Sequence, residues 1–172
     1  MKKIISCTFS FLLLILIALP LHAQNDVKGF FDQQFSYASR VLQLAEAMPA
    51  DKYSWRPMEG VSSTGEIYLH IAQANYGMLG AIGVSSPEGL NLESIDSNDK
   101  QSVIEALSES IDFVSSAVEG LPQSTLGNTF EMYGRTMKGE QVLMFMLNHM
   151  SEHVGQSIAY ARMNEIVPPW SE

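Results

Sequence analysis

Cysteine is nearly absent: a single thiol, Cys7, serves a chain of 172 residues. No intramolecular disulfide can form. A polar centre remote from that one position has neither a thiolate ligand nor a cysteine nucleophile, so it must be built from nitrogen and oxygen donors. Positive charge is scarce as well. Lys and Arg number 10 against 19 Asp and Glu, a formal net charge of -9. The few cations are scattered, which excludes a surface that tracks nucleic-acid phosphates. No internal repeat and no convincing series of strands is present, and long apolar runs are confined to the first twenty residues. At this length one domain with one sizeable core is expected.

The chain opens with the pattern of an export segment. Met1-Lys2-Lys3 is positive, Phe11 to Leu19 is an unbroken apolar run, Pro20 breaks it, and Leu21-His22-Ala23 places a small residue before a cleavage point. Ser6, Thr8 and Ser10 interrupt the upstream part, leaving less than the ~20 apolar residues that span a bilayer. Residues 1–23 are therefore read as a secretory signal peptide and residues 24–172 as the exported domain, periplasmic or secreted, with no stable membrane insertion after cleavage. Cys7 precedes the apolar run, so it is not a lipid-bearing cysteine, and it leaves with the signal. Lys2 and Lys3 leave too, which makes the remaining surface more acidic still.

Helical periodicity dominates the rest of the chain. Phe31, Phe35, Ala38, Leu42 and Ala45 recur in steps of four and three, predicting an amphipathic helix over 27–48 that Pro49 stops. Asp51 to Gly60 reads as a long connection packed down by Trp55, with Trp170 pinning the tail. Ser63 and Glu66 form a capping box that opens a second helix, with Ile67, Ile71, Ala74, Met78 and Ile82 on one face, ending near Gly83. A loop over 85–98 leads to a third helix over 99–119, capped by Asn98 and Gln101. Residues 123–138 are either irregular or a short extended hairpin. The last helix, over about 139–164, carries the most large apolar side chains and is expected to be the most buried. These elements predict an all-α fold, a four-helix bundle in a single domain, with the helix order left open by the long first connection.

His149 and His153 sit one turn apart on the last helix, in a stripe through Val142, Met146, Gln156 and Tyr160 that starts apolar and turns polar. His70 lies beside the apolar face of the second helix, toward the bundle interior or its margin. Convergence of the three rings would need a reason, because crowded imidazoles must satisfy their ring nitrogens and repel when protonated. A divalent cation meets both needs by taking one lone pair from each neutral ring. Spacing alone also permits two unrelated core or surface histidines, and it does not place His70. His149-Met150-Ser151-Glu152-His153 matches the H-x-x-E-H peptidase pattern. Three fixed residues in five recur by chance, however, and Glu152 is read as a solvated acid or one beside the ligands. Met146, Met150 and Met163 raise a haem bundle, but C-x-x-C-H is absent and methionines at this spacing usually fill cores.

The chain resembles the DinB family. The resemblance rests on Asp51-Lys52-Tyr53-Ser54-Trp55-Arg56-Pro57, on Gly65-Glu66-Ile67-Tyr68-Leu69-His70-Ile71-Ala72 with Ala74-Asn75-Tyr76, and on Asn148-His149-Met150-Ser151-Glu152-His153-Val154-Gly155-Gln156. The tail from Tyr160 to Trp170 is similar too. The resemblance implies an up-down-down-up bundle that pairs into homodimers. It also implies His70, His149 and His153 as ligands of a divalent metal ion: nickel, zinc, iron or manganese. Gly155 would permit close helix packing, and Gln156 would donate or accept a hydrogen bond beside the site. Relatives include metal-dependent thiol S-transferases using bacillithiol or mycothiol and a mycothiol-dependent maleylpyruvate isomerase. Export counts against those cytosolic thiols. The expectation is therefore a metal-dependent enzyme of hydrolase or thiol-transferase type acting on a small-molecule substrate. The alternative is a non-catalytic metal- or small-ligand-binding bundle.

Overall fold

Three of the four long helices start where a side chain satisfies one of the backbone N–H groups that a helix leaves free at its first turn. The computed structural model describes residues 26–171, so the signal peptide expected over 1–23 lies outside the described residues. Asp26 accepts from the Gly29 amide and begins α1 (Val27–Ala38). Ser63 and Glu66 form the expected reciprocal box at the head of α3 (Thr64–Ala81). At α4 (Lys100–Gly120) the cap is Asp99, which accepts from the Gln101 amide, rather than Asn98. Asn98 instead donates its amide to the Asp96 carboxylate. A short α5 (Gln123–Gly127) precedes α6 (Gly139–Met163).

The helix predicted over 27–48 is broken. α1 ends at Ala38 and α2 (Val41–Ala47) follows after a bend at Ser39 and Arg40. Both the hydroxyl and the N–H of Ser39 donate to the Phe35 carbonyl at 2.7 Å, a local competition for backbone groups that bends helices. The bend rotates the buried face: after it Val41, Leu44 and Ala45 are fully enclosed, while Leu42 is only half-buried.

Residues 129–138 form the hairpin alternative. β1 (Thr129–Met132) pairs antiparallel with β2 (Arg135–Lys138), Thr129 opposite Lys138 and Met132 opposite Arg135. Tyr133 at φ 52° and Gly134 at φ 71° close it, the pair of positive angles that a two-residue turn between twisted strands demands.

Side-chain contacts fix the helix directions. Lys28, at the start of α1, reaches the carbonyls of Glu119 and Leu121 at the end of α4, and Lys100, at the start of α4, reaches those of Glu46 and Met48 after α2. These two run opposite ways, and each ammonium meets the negative end of a helix. α3 and α4 run together: Gly65 abuts Ser97, Asn75 donates to Ser110, and Tyr76 packs on Phe113. α3 and α6 are antiparallel, because Tyr160 near the end of α6 meets Ser62 just before α3. The four long rods thus run up, down, down, up. α1 packs on α4 and α6, as does α3, so the first connection crosses the bundle end instead of making a hairpin. Among the described residues no helix is long and apolar enough to cross a membrane.

The core runs the length of the bundle through Val41, Ile71, Leu79, Leu107, Val114 and Leu143, each almost wholly enclosed. Burying one such side chain contributes ~1.5–3 kcal/mol. Close approach is needed at Gly65, where a Cβ would stand 1.8 Å from the Ser97 carbonyl oxygen, and at Gly139, where it would stand 2.2 Å from that of Thr125. Gly155 faces open space, so the close packing expected there is absent.

Candidate metal centre

The bundle brings together the three histidines singled out in the sequence. α6 carries His149 and His153 four residues apart, which at 3.6 residues per turn puts both rings on one face. α3 carries His70 on the helix antiparallel to it. His70 Nε2 lies 3.0 Å from His149 Nε2, and His149 Nε2 lies 3.1 Å from His153 Nε2. One ligand atom from each of the three falls within 4.8 Å of the others, and no carboxylate joins that group among the described residues. The rings meet at steep angles, His149 and His153 at 68° and His70 and His153 at 74°.

Such spacing has a coordination reading. Metal–imidazole bonds of about 2.1 Å meeting near a right angle hold two nitrogens about 3.0 Å apart, so the two gaps at His149 have the spacing of nitrogens sharing one ion. Hydrogen bonding among the rings alone is a poor substitute. His149 Nε2 has two neighbours at that distance, yet a neutral nitrogen offers either one proton or one lone pair.

Electrostatics keep lone pairs available. Burial, and then the charge His153 and His70 would carry, holds His149 down to about 4 from 6.5. His70 is lowered too, first by partial desolvation against the neighbouring rings and then by His153. Both rings are therefore neutral near pH 7, the form that binds a cation. His153 is oriented from outside: its Nδ1 lies 2.8 Å from Gln156 Oε1, which satisfies the expectation that Gln156 bonds beside the site.

The centre sits at the margin of the bundle rather than deep within it, with His70 exposed and the α6 pair half-buried. Glu152 is exposed and outside the cluster, so the H-x-x-E-H match does not assemble a base beside the ligands. A groove of about 650 Å³ lies elsewhere, between the starts of α1 and α6, lined by Phe30, Met137, Met144 and Phe145 among others and by none of the histidines. Geometry and donor chemistry, not cavity size, mark the site. Ser62, whose carbonyl accepts from Tyr160, carried no sequence signal, because a backbone oxygen is invisible to residue type.

Comparison with known proteins gives the same architecture. The family described as the DinB superfamily matches residues 37–157. A DinB-like protein from Bacillus cereus is similar in structure with a TM-score of 0.72 at 18% identity, covering 81% of this chain and 93% of that one. A DinB-like protein from Bacillus subtilis has a TM-score of 0.63 at 21% identity, over 83% and 94% of the two chains. A conserved protein from Enterococcus faecalis has 0.65 at 15%, over 80% and 96%. No curated protein matches the chain.

Proposed function

The chain belongs to the DinB superfamily, and from that premise we propose that it is an exported protein that binds a divalent transition-metal ion through His70, His149 and His153 and uses it in metal-dependent chemistry on a small molecule. The observation that carries the reading is the approach of three Nε2 atoms from two helices, at 3.0 and 3.1 Å, with no acid among them. Export rests on the charge, apolar run and small residue of positions 1–23.

The donor set fits such an ion. Imidazole nitrogens suit nickel, zinc or iron, whereas manganese takes oxygen donors more readily. When bound, the ion supplies Lewis acidity, polarising an acceptor and lowering the pKa of water or a thiol toward neutrality.

The chain's own residues do the rest. Three neutral ligands leave a dication's charge uncompensated, so the site favours an anionic ligand such as a carboxylate, hydroxide or thiolate. Exposure of His70 leaves that side reachable from solvent. His149 Nε2 lies near both of the other Nε2 atoms, and Gln156 Oε1 engages the outer nitrogen of His153. A second reading, a non-catalytic binding bundle, is favoured by the groove at Phe30 and Phe145, which stands apart from the histidines.

Metal exchange and mass spectrometry of the protein test the first reading. Loading with nickel, zinc or iron at one ion per chain, lost on His149→Ala with the helical spectrum intact, is expected. Protein that stays empty with all three overturns it. Cobalt substitution then separates the readings: a d–d spectrum that shifts on adding an anion or thiol shows an open coordination position, and an unresponsive spectrum favours the binding bundle.

A further inference from the structure

His153 is the one ring of the three whose outer nitrogen has a protein partner among the described residues, and that partner is the first link of a chain with only one possible polarity. It ends at the Ser62 carbonyl, which accepts and cannot donate. Tyr160, whose hydroxyl lies 3.1 Å from that oxygen, must therefore donate to it. The same hydroxyl oxygen is left to accept from the Gln156 amide nitrogen, a longer contact at 3.5 Å. With its NH2 group turned to Tyr160, Gln156 presents its carbonyl oxygen to His153 Nδ1 at 2.8 Å. That nitrogen must carry the proton, so the lone pair stands on Nε2, facing His149.

We propose that Tyr160 is a positioning residue: acting through Gln156, it selects the tautomer of His153 that directs the Nε2 lone pair into the histidine cluster. This rests on the metal-binding reading for its purpose, but the tautomer exists whether or not a metal binds. An amide alone would not set the polarity, because Gln156 turned over presents N–H to Nδ1 and moves the ring proton to Nε2, where a cation must bind. Tyr160 holds the amide one way round. It is itself held, nearly buried and with the Trp55 ring edge-on at 5.2 Å. The relay also ties the end of α6 to Ser62, immediately before the capping box of the helix that carries His70. Both helices that supply ligands are thereby registered against each other at one point.

Imidazole ¹⁵N NMR of the metal-free protein in mildly alkaline buffer reads the tautomer directly, and zinc affinity against a competing chelator reads its consequence. Wild type is expected to hold the proton of His153 on Nδ1. Gln156→Leu should move it toward Nε2 and weaken zinc by about 10–100-fold, the usual cost of losing a partner behind a ligating histidine. Tyr160→Phe, which removes one oxygen and keeps the ring packing, should give a mixture of tautomers and a smaller loss, near 10-fold. Gln156→Glu keeps an acceptor at Nδ1 and should retain the wild-type tautomer. A wild-type His153 protonated on Nε2, or Tyr160→Phe with an unchanged tautomer, overturns the relay. Failure of zinc to bind wild type, with the tautomers behaving as stated, overturns the metal reading and leaves the relay standing.

Discussion

Two neighbouring faces of α6 divide between them what an active site usually combines. One carries His149 and His153 and meets His70, with donor chemistry and apart from the groove. The other carries Met144 and Phe145, with a groove of about 650 Å³ closed by Phe30 and Met137, rimmed by the Asp26 and Glu140 carboxylates and lacking any imidazole. The difference comes from the helix itself. At 100° per residue, Asn148 faces the groove and His149, one residue on, turns to the cluster. On this bundle the apolar groove and the imidazole cluster are therefore separate features.

Substitutions that act on one face and not the other sharpen the contrast. His149→Ala removes the central ring and should weaken zinc by more than about 100-fold, beyond the loss from an outer partner. Chelator competition measures it. An affinity within a few-fold of wild type would erase the distinction between the faces.

Metal should also stabilise the fold from the cluster side. Free zinc at 100-fold above its Kd adds about 2.7 kcal/mol to unfolding stability, which a chelator removes. Denaturant titration with and without zinc gives this difference, and it should vanish in His70→Ala.

Acid acts on the same face. The ring of His149 is held near 4 in the folded protein against 6.5 as its ordinary value, and His70 is lowered as well. Between those two values the unfolded chain binds more protons, so the stability they contribute to the metal-free protein is complete above about pH 6.5 and is lost as the pH falls toward 4. Urea midpoints at pH 7 and pH 5 should differ in that direction, and His149→Ala should flatten the difference. A midpoint that rises on acidification would show that the rings are not crowded together in solution.

The smallest effect is expected on the groove face. Phe145→Ser should change zinc affinity less than twofold while reducing any binding of apolar dyes. A large loss of metal affinity in that variant would join the two faces into one site.

Local chemistry was legible where a signal is carried by neighbouring residues. The Ser63–Glu66 box opens α3 as its spacing requires, and the four-residue interval of His149 and His153 places both rings on one side. The bend at Ser39 was not legible, since the apolar period continues across it and only the second hydrogen bond to Phe35 reveals the break. Gly155, conspicuous beside the histidine pair, packs against nothing, whereas the glycines that permit contact are Gly65 and Gly139. A glycine reports a missing side chain, and whether that space is used depends on what lies opposite.

Helix content, the Ser63–Glu66 cap, the lack of any thiolate donor beyond Cys7 and the placing of His149 and His153 on one face were determined by the sequence, because each depends on residues within a turn or on composition. The arrival of His70 at that pair, the direction of the rods and the Ser62–Tyr160–Gln156 relay were decided by the tertiary structure. They depend on how distant segments cross, and at Ser62 on a backbone carbonyl that every residue type possesses.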